Sequence, residues 1–192
     1  MQELCDGIGH RLSGSPQLTQ AINWAADSMR EDGQENVHIE PVMVPHWVRG
    51  SESLVMTQPR LAPIAMLGLG RSVGTSEEGI TAEVVVVGNE AELEALGDEA
   101  KGKIVLFNNP MPSYDPETGA GYGQTVRFRS NGARLAASQG AVACLVRSVT
   151  AHSLRSPHTG AMNYGDAEVK IPAAAISTGD AAMLARLQDR GV

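Results

Sequence analysis

The fold is decided by residues 127–149, RFRSNGARLAASQGAVACLVRSV, which predict a helix, a stop and a buried strand. The hydroxyl of Ser130 can cap the start of this helix, because it can accept a hydrogen bond from a backbone N–H that lacks an intrahelical partner. Small side chains follow at helical spacing and predict a helix face that lies close against a sheet. They belong to Ala133, Ala136, Ala137 and Gly140.

A buried strand is predicted after the helix. Gly140 suits the left-handed residue that ends a helix, and residues 141–146, AVACLV, are uninterrupted by charge. A run that is apolar throughout is typical of a strand covered on both faces. One interpretation is therefore a plain structural αβ unit, an element that hosts unrelated functions. The other interpretation is a binding role for Arg127 and Arg129, whose two guanidinium groups, two residues apart, can bind a carboxylate.

The composition is that of a globular protein and argues against some partners. The chain has 192 residues, a length that buries roughly 70% of the unfolded surface. The net charge of −7 argues against nucleic acid, which requires a basic face. No apolar run approaches the roughly 20 residues that span a bilayer. Cys5 and Cys144 permit one disulfide, but free thiols are favoured because unpaired buried cysteines are common.

Two parts are predicted along the chain. In residues 1–59, Ser15 and Pro16 signal the start of a helix that runs to about Glu31, and residues 37–44 predict a strand bent by proline. We place a domain boundary near Arg60, in a linker that contains prolines.

Residues 60–192 are richer in strands. Their predicted strands lie at 64–67, 83–87, 103–107, 141–146 and 171–176, with a short helix at 90–96 and a last helix capped by Ser177 or Thr178. Two long loops, 108–124 and 152–170, complete this part, and loops of such length are often functional.

Residue spacing alone supplies no complete catalytic set. The five histidines form no His-Glu-x-x-His pattern, and Leu12-Ser13-Gly14 lacks the first glycine of a Gly-x-Ser-x-Gly turn. His38 and Glu40 point to one face of the predicted strand, where they are either two metal ligands or part of a polar face. Composition and spacing therefore predict a two-part α/β chain and leave its activity open.

Eight stretches carry a more specific signal. They are CDGIGHRLSGS (5–15), EPVMVPHWVRG (40–50), MLGLG (66–70), GKIVLFN (102–108), TVRFRSNGA (125–133), RSVT (147–150), SPHTG (156–160) and IPAAAIS (171–177). Their order and spacing resemble the carboxypeptidase Q (plasma glutamate carboxypeptidase) branch of the zinc exopeptidases, over nearly the whole chain.

The resemblance implies a mixed α+β or α/β fold. Residues 60–192 would be a strand-rich protease-associated (PA) domain, an open β-barrel or sandwich flanked by helices. Residues 1–59 would be a helical and strand piece of the zinc-peptidase domain into which the PA domain is inserted. The implied reaction is hydrolysis of dipeptides or terminal peptide bonds by an aminopeptidase, carboxypeptidase or dipeptidase. In the family, two zinc ions activate the water and a glutamate acts as general base.

The resemblance also implies what this sequence lacks. The family's zinc ligands follow the PA domain and begin with a His-x-Asp-Ser segment, and no His-x-Asp occurs here. We therefore expect the sequence to stop before the metal site, to bind no zinc and to be inactive alone. Its expected partners are the missing peptidase domain and a peptide or dipeptide substrate. A second copy of the chain, in a homodimer, is a further candidate partner. Arg127, Arg129, His158 and Thr159 are the residues expected to face the substrate.

Two departures from the family pattern accompany the resemblance: Phe128 stands where tyrosine is expected, and the loop 116–121 looks longer than usual. An alternative of another class is a stand-alone PA-type module that binds a peptide or protein through loops 108–124 and 152–170. If the peptidase domain is missing, the apolar stripe of Leu18, Ile22 and Met29 is expected to be uncovered.

Overall fold

A computed structural model describes residues 1–152 and 155–192. The chain divides into two compact units, Met1–Arg49 and Gly50–Val192. The predicted boundary near Arg60 stays a prediction; in the structure it falls between two paired strands of the second unit. Residues 153 and 154, within the predicted loop 152–170, lie outside the described residues.

The first unit is built around one helix. A π-helical turn, Glu3–Ile8, precedes helix α1, Pro16–Glu31. The predicted cap is confirmed, because the Ser15 hydroxyl accepts a hydrogen bond from the Leu18 N–H at 3.1 Å. Of the stripe expected to be uncovered, Ile22 and Met29 are 41% and 45% exposed, whereas Leu18 is half-buried.

The strand predicted over residues 37–44 is wrong. Residues 37–54 form no helix or strand in the structure. Pro41 and Pro45 each remove a backbone donor that a strand would need for pairing. Val42 and Met43 are exposed, so burial does not hold the segment in place either.

The second unit contains two sheets. Strands β1 (Val55–Met56) and β2 (Ala62–Pro63) form an antiparallel pair. The five-stranded sheet holds β3 (Met66–Gly68), β4 (Val84–Val87), β5 (Ile104–Phe107), β6 (Ala143–Arg147) and β7 (Ala173–Ile176). Its order is β3-β7-β6-β5-β4, with β3 antiparallel to β7 and the other pairs parallel. The predicted mixed α/β class is confirmed.

Helices lie on both faces of the five-stranded sheet. Along the chain they are α2 (Glu90–Leu96), a 3-10 turn (Gly97–Ala100), α3 (Tyr122–Ser138) and α4 (Thr178–Gln188). Strand β5 shows how side-chain alternation divides the core. Val105 and Phe107 pack in the cluster that contains α3, whereas Ile104 and Leu106 pack in the cluster that contains α4.

Helix α3 begins at Tyr122, about two turns before the predicted cap at Ser130. Its N-cap is Gly121, whose φ of 63° is left-handed and which offers no capping side chain. Pro112 packs on Gly121 so closely that a Cβ there would lie 2.4 Å from the Pro112 Cγ. Only glycine therefore fits at this helix start. The predicted end is confirmed, since Gly140 has φ of 77°.

Close packing of α3 on the sheet depends on Gly132. A Cβ at this position would lie 3.1 Å from Phe107 Cδ2 and 3.3 Å from Cys144 Sγ. One turn earlier, Phe128 is buried and stacks on Phe107 with ring centroids 5.0 Å apart. The same burial raises the pKa of the Cys144 thiol. Both cysteines are free thiols, as predicted.

Side chains cover both outer edges of the five-stranded sheet. On β4, Gln188 accepts a hydrogen bond from the Val86 N–H at 2.6 Å and donates one to the Val86 carbonyl at 2.9 Å. On β3, Glu52 accepts from the Gly68 N–H at 3.1 Å, and Thr159 donates to the Gly68 carbonyl at 2.9 Å. Such contacts occupy backbone groups that otherwise pair with another chain.

The Gln188→Ala variant should expose the edge of β4. Losing these two contacts should lower the free energy of unfolding by about 1 kcal/mol and speed hydrogen exchange at the Val86 amide. Arg190→Ala, a change at an exposed neighbour, is the matched control. Unchanged exchange at Val86 in Gln188→Ala would show that the side chain does not protect the edge.

Candidate functional site

Arg127 forms an ion pair with a carboxylate of its own chain. It lies on α3, and its Nη2 donates to Glu90 Oε2 at 2.7 Å. Glu90 is in the first turn of α2, so this ion pair links the two helices. Both side chains are substantially exposed, at 55% and 39%, and such pairs contribute little to stability.

Arg129 lies on a different side of α3 from Arg127. Residues separated by two positions on a helix do not face each other. The Arg129 guanidinium lies over the ring of Tyr122, with 5.7 Å from Cζ to the ring centroid, and against Gly160. Its Nε is buried and has no hydrogen-bond partner among the described residues. The helical start at Tyr122 thus separates two guanidinium groups that were expected to act together.

The segment that contains His158 is fixed by hydrogen bonds on both sides. The His158 N–H donates to the buried hydroxyl of Ser148 at 2.7 Å, and Ser148 donates to the Ile176 carbonyl at 2.7 Å. His158 Nδ1 lies 2.8 Å from the Val149 carbonyl oxygen. A carbonyl only accepts, so Nδ1 carries the hydrogen and Nε2 of the neutral ring is the acceptor.

Thr159 and Gly160 extend this attachment to strand β3. The Thr159 hydroxyl donates a hydrogen bond to the Gly68 carbonyl, and the Gly160 carbonyl accepts one from the Gly70 N–H at 2.9 Å. The structure therefore brings Arg129 against Gly160, at the end of the segment 158–160, and places Arg127 apart beside Glu90. Contact of any of these residues with a substrate stays a prediction.

Arg147 joins the carboxyl ends of two strands, a role that sequence reasoning missed. Its Nη1 donates to Asn108 Oδ1 at 3.1 Å and to the Thr178 carbonyl at 3.0 Å. These contacts tie the end of β5 to the start of α4. Burial lowers the pKa of the Arg147 guanidinium, which nevertheless remains charged at neutral pH.

The loop before α3 contains a small hairpin. Asp115 and Gly119 exchange backbone hydrogen bonds at 3.1 and 2.7 Å. Asp115 Oδ1 also accepts from the N–H groups of Glu117 and Thr118 and from the Thr118 hydroxyl. The contacts with Thr118 and then Glu117 lower the pKa of Asp115. Next to this hairpin, Tyr114 is 73% exposed.

The described residues do not fit a zinc site. No group of three or more potential ligands occurs in residues 1–152 and 155–192. His38 and Glu40, the two possible ligands predicted from sequence, contact each other, with His38 Nε2 3.0 Å from Glu40 Oε1. A hydrogen bond to the Asn36 carbonyl, followed by that to Glu40, raises the pKa of His38. Two groups do not complete a zinc coordination sphere, which takes four ligands.

None of the helices formed by the described residues has the length and apolar character needed to cross a membrane.

The chain is similar to known families and proteins. Residues 80–184 match the family model described as PA domain. Carboxypeptidase Q from Homo sapiens is 48% identical over 189 residues, which make up 98% of this chain and 38% of that protein. Carboxypeptidase Q from Rattus norvegicus is 50% identical, with the same coverage of both chains. The chain thus spans less than two fifths of the length of these curated relatives.

Solved structures show the same relationship. A peptidase M28 precursor from Shewanella amazonensis superposes with a TM-score of 0.90 at 34% identity, over 100% of this chain and 43% of that one. BSAP, a zinc aminopeptidase from Bacillus subtilis, has a TM-score of 0.66 at 22% identity, over 96% of this chain and 39% of that one. At that identity, the likeness to BSAP shows the fold alone.

The Asp115 hairpin should depend on pH. Because its folded pKa lies below the ordinary 3.8, Asp115 stabilises the hairpin above the ordinary value, and this is lost as pH falls through the folded pKa. Thr118→Ala should raise the Asp115 pKa, measured by NMR titration of its carboxyl carbon. Thr118→Ser, which keeps the hydroxyl, should not. Equal pKa values in all three proteins would contradict this assignment.

Proposed function

Because the chain belongs to the PA domain family and is homologous to carboxypeptidase Q, we propose that it is part of a zinc-dependent exopeptidase that hydrolyses short peptides. The observation that carries the proposal is 48% identity over 98% of the chain. The likeness to the M28 peptidase precursor supports it, since that similarity also extends over the whole chain.

In this proposal, residues 60–192 form the PA domain that covers the active site, and residues 1–59 belong to the peptidase domain. This chain supplies substrate access or a dimer contact and is not catalytic alone. The exposed Ile22, Met29, Val42 and Met43 of the first unit would be covered by the missing peptidase domain, because apolar surface of this kind favours burial. We infer that two zinc ions, held outside this chain, supply the Lewis acid and the activated water.

Arg129 is the residue best placed to receive the terminal carboxylate of a peptide. A guanidinium recognises a carboxylate through two parallel hydrogen bonds. His158 offers Nε2 as an acceptor on the adjacent segment. Arg127 must exchange its Glu90 partner before it contacts a substrate, and the bond from Thr159 to Gly68 gives Thr159 a part in holding the segment.

A second candidate function is a stand-alone PA-type module that binds a peptide or protein without hydrolysing it. The hairpin around Asp115 favours this candidate, because it presents the exposed Tyr114 beside a loop held by hydrogen bonds. Exposed aromatic side chains on ordered loops are common anchors for protein partners.

The two candidates differ in activity. The protein expressed from the complete gene should contain zinc and hydrolyse dipeptides, whereas the 192-residue chain should do neither. In the complete protein, Arg129→Ala should raise KM by about tenfold or more, since hydrogen bonds to charged groups contribute about 1.5–3 kcal/mol. Arg186→Ala, a change on α4, is the matched control.

Hydrolysis by the 192-residue chain alone would contradict the proposal that this chain is not catalytic without the rest of the peptidase. A complete protein that binds peptides but neither hydrolyses them nor contains zinc would favour the binding module.

A further inference from the structure

We propose that Gly160 and Tyr122 are positioning residues, which hold the Arg129 guanidinium in the orientation that selects peptides with a free terminal carboxylate. The inference rests on the proposed function and goes beyond it, because it names the residues that set the selectivity of the site.

The first observation is the close approach of Gly160 to the guanidinium. A Cβ on Gly160 would lie 2.7 Å from Arg129 Cζ, 2.8 Å from Nε and 2.9 Å from Nη1. These three nearly equal distances place the glycine against the plane of the guanidinium, not against its edge. Any larger residue at this position would occupy the space of the guanidinium itself.

The backbone conformation does not require glycine at this position. Gly160 does not have a positive φ, so other residues can adopt its backbone angles. Close approach to Arg129 is therefore the physical constraint that the structure reveals there. The Nε of Arg129 has no acceptor among the described residues, so packing, not a hydrogen bond at that atom, orients this part of the group.

The segment that carries Gly160 is held more firmly than the arginine side chain. The Gly160 carbonyl accepts from Gly70 N–H at 2.9 Å, and the Met162 N–H donates to the Gly70 carbonyl at 3.0 Å. The preceding residue, Thr159, adds a hydrogen bond from its hydroxyl to the Gly68 carbonyl. An arginine side chain is long and flexible, so a Cβ at position 160 should displace the guanidinium and leave the backbone in place.

Tyr122 provides the second contact. It is the first residue of α3 and lies about two turns before Arg129, on the same side of the helix. The ring is 5.7 Å from Arg129 Cζ, within the range of a cation–π interaction. Gly121, next to it, is packed against Pro112, which fixes the helix start and with it the backbone of Tyr122.

These contacts matter for selectivity because a bidentate pair requires coplanar groups. A guanidinium held in one plane gains both hydrogen bonds to a carboxylate. A peptide amide offers one acceptor oxygen and no charge at the same position, so it gains less. A displaced guanidinium should therefore lose the preference for the free carboxylate and retain the weaker binding of the amide.

The test uses the complete protein and one dipeptide as its free acid and as its C-terminal amide. Gly160→Ala should lower kcat/KM for the acid about tenfold or more, mainly through KM, and leave the amide unchanged. Tyr122→Leu should act in the same direction, whereas Tyr122→Phe, which keeps the ring, should resemble the unaltered protein. Gly123→Ala, where nothing lies within 4 Å of the added Cβ, is the matched control.

The positioning role would be overturned if Gly160→Ala left the ratio of kcat/KM for the acid to kcat/KM for the amide unchanged, whether both values stayed the same or fell equally. If the unaltered protein hydrolyses neither substrate, the proposed function fails, and a second measurement decides the positioning role. In the 192-residue chain, Gly160→Ala should shift the NMR resonance of the Arg129 Nε–H, and Gly123→Ala should not. An unshifted resonance in Gly160→Ala would refute it.

Discussion

The structure depends on how closely helix α3 approaches the sheet at Gly132. Phe107 of β5 and Cys144 of β6 both occupy the space into which a side chain at position 132 would project. Close packing leaves no void there for a larger residue. The stacking of Phe128 on Phe107 continues the same contact one turn earlier. Together these contacts determine both the distance of α3 from the sheet and its rotation about its own axis.

The rotation of α3 decides what its arginines contact. With Phe128 and Gly132 turned toward the sheet, Arg127 reaches Glu90 of α2, and Arg129 lies against Gly160 near the edge formed by β3. The two charges therefore have separate surroundings although they are close in sequence. One is neutralised by its own chain, and the other keeps a buried donor without a partner among the described residues. This difference is why the proposed function gives the main role to Arg129.

Local signals in the sequence predicted much of the fold. The Ser15 cap and the stop at Gly140 depend on one or two residues, and both are present. The start of α3 was missed because its cap is a glycine, whose conformation depends on packing against Pro112. Thr125 and Phe128 precede Gly132 and Ala136 at helical spacing, and that spacing is the sequence signal that could have revealed the earlier start.

The site was less predictable than the fold, for a physical reason. The proximity of Arg129 to Gly160 arises from pairing between residues distant in sequence, at Gly70 and Ala161, and no local pattern encodes it. The family resemblance supplied the candidate residues, but their separation into two environments required the structure.

The central claim, that the missing side chain at position 132 sets the position of α3, is tested most directly by comparing Gly132→Val with Gly123→Val in urea unfolding. Both changes lie on α3, but a Cβ at position 123 meets nothing within 4 Å. Overpacking should lower the free energy of unfolding of Gly132→Val by about 1–3 kcal/mol, with a change of less than about 1 kcal/mol for Gly123→Val. Equal stability of the two variants would contradict the account.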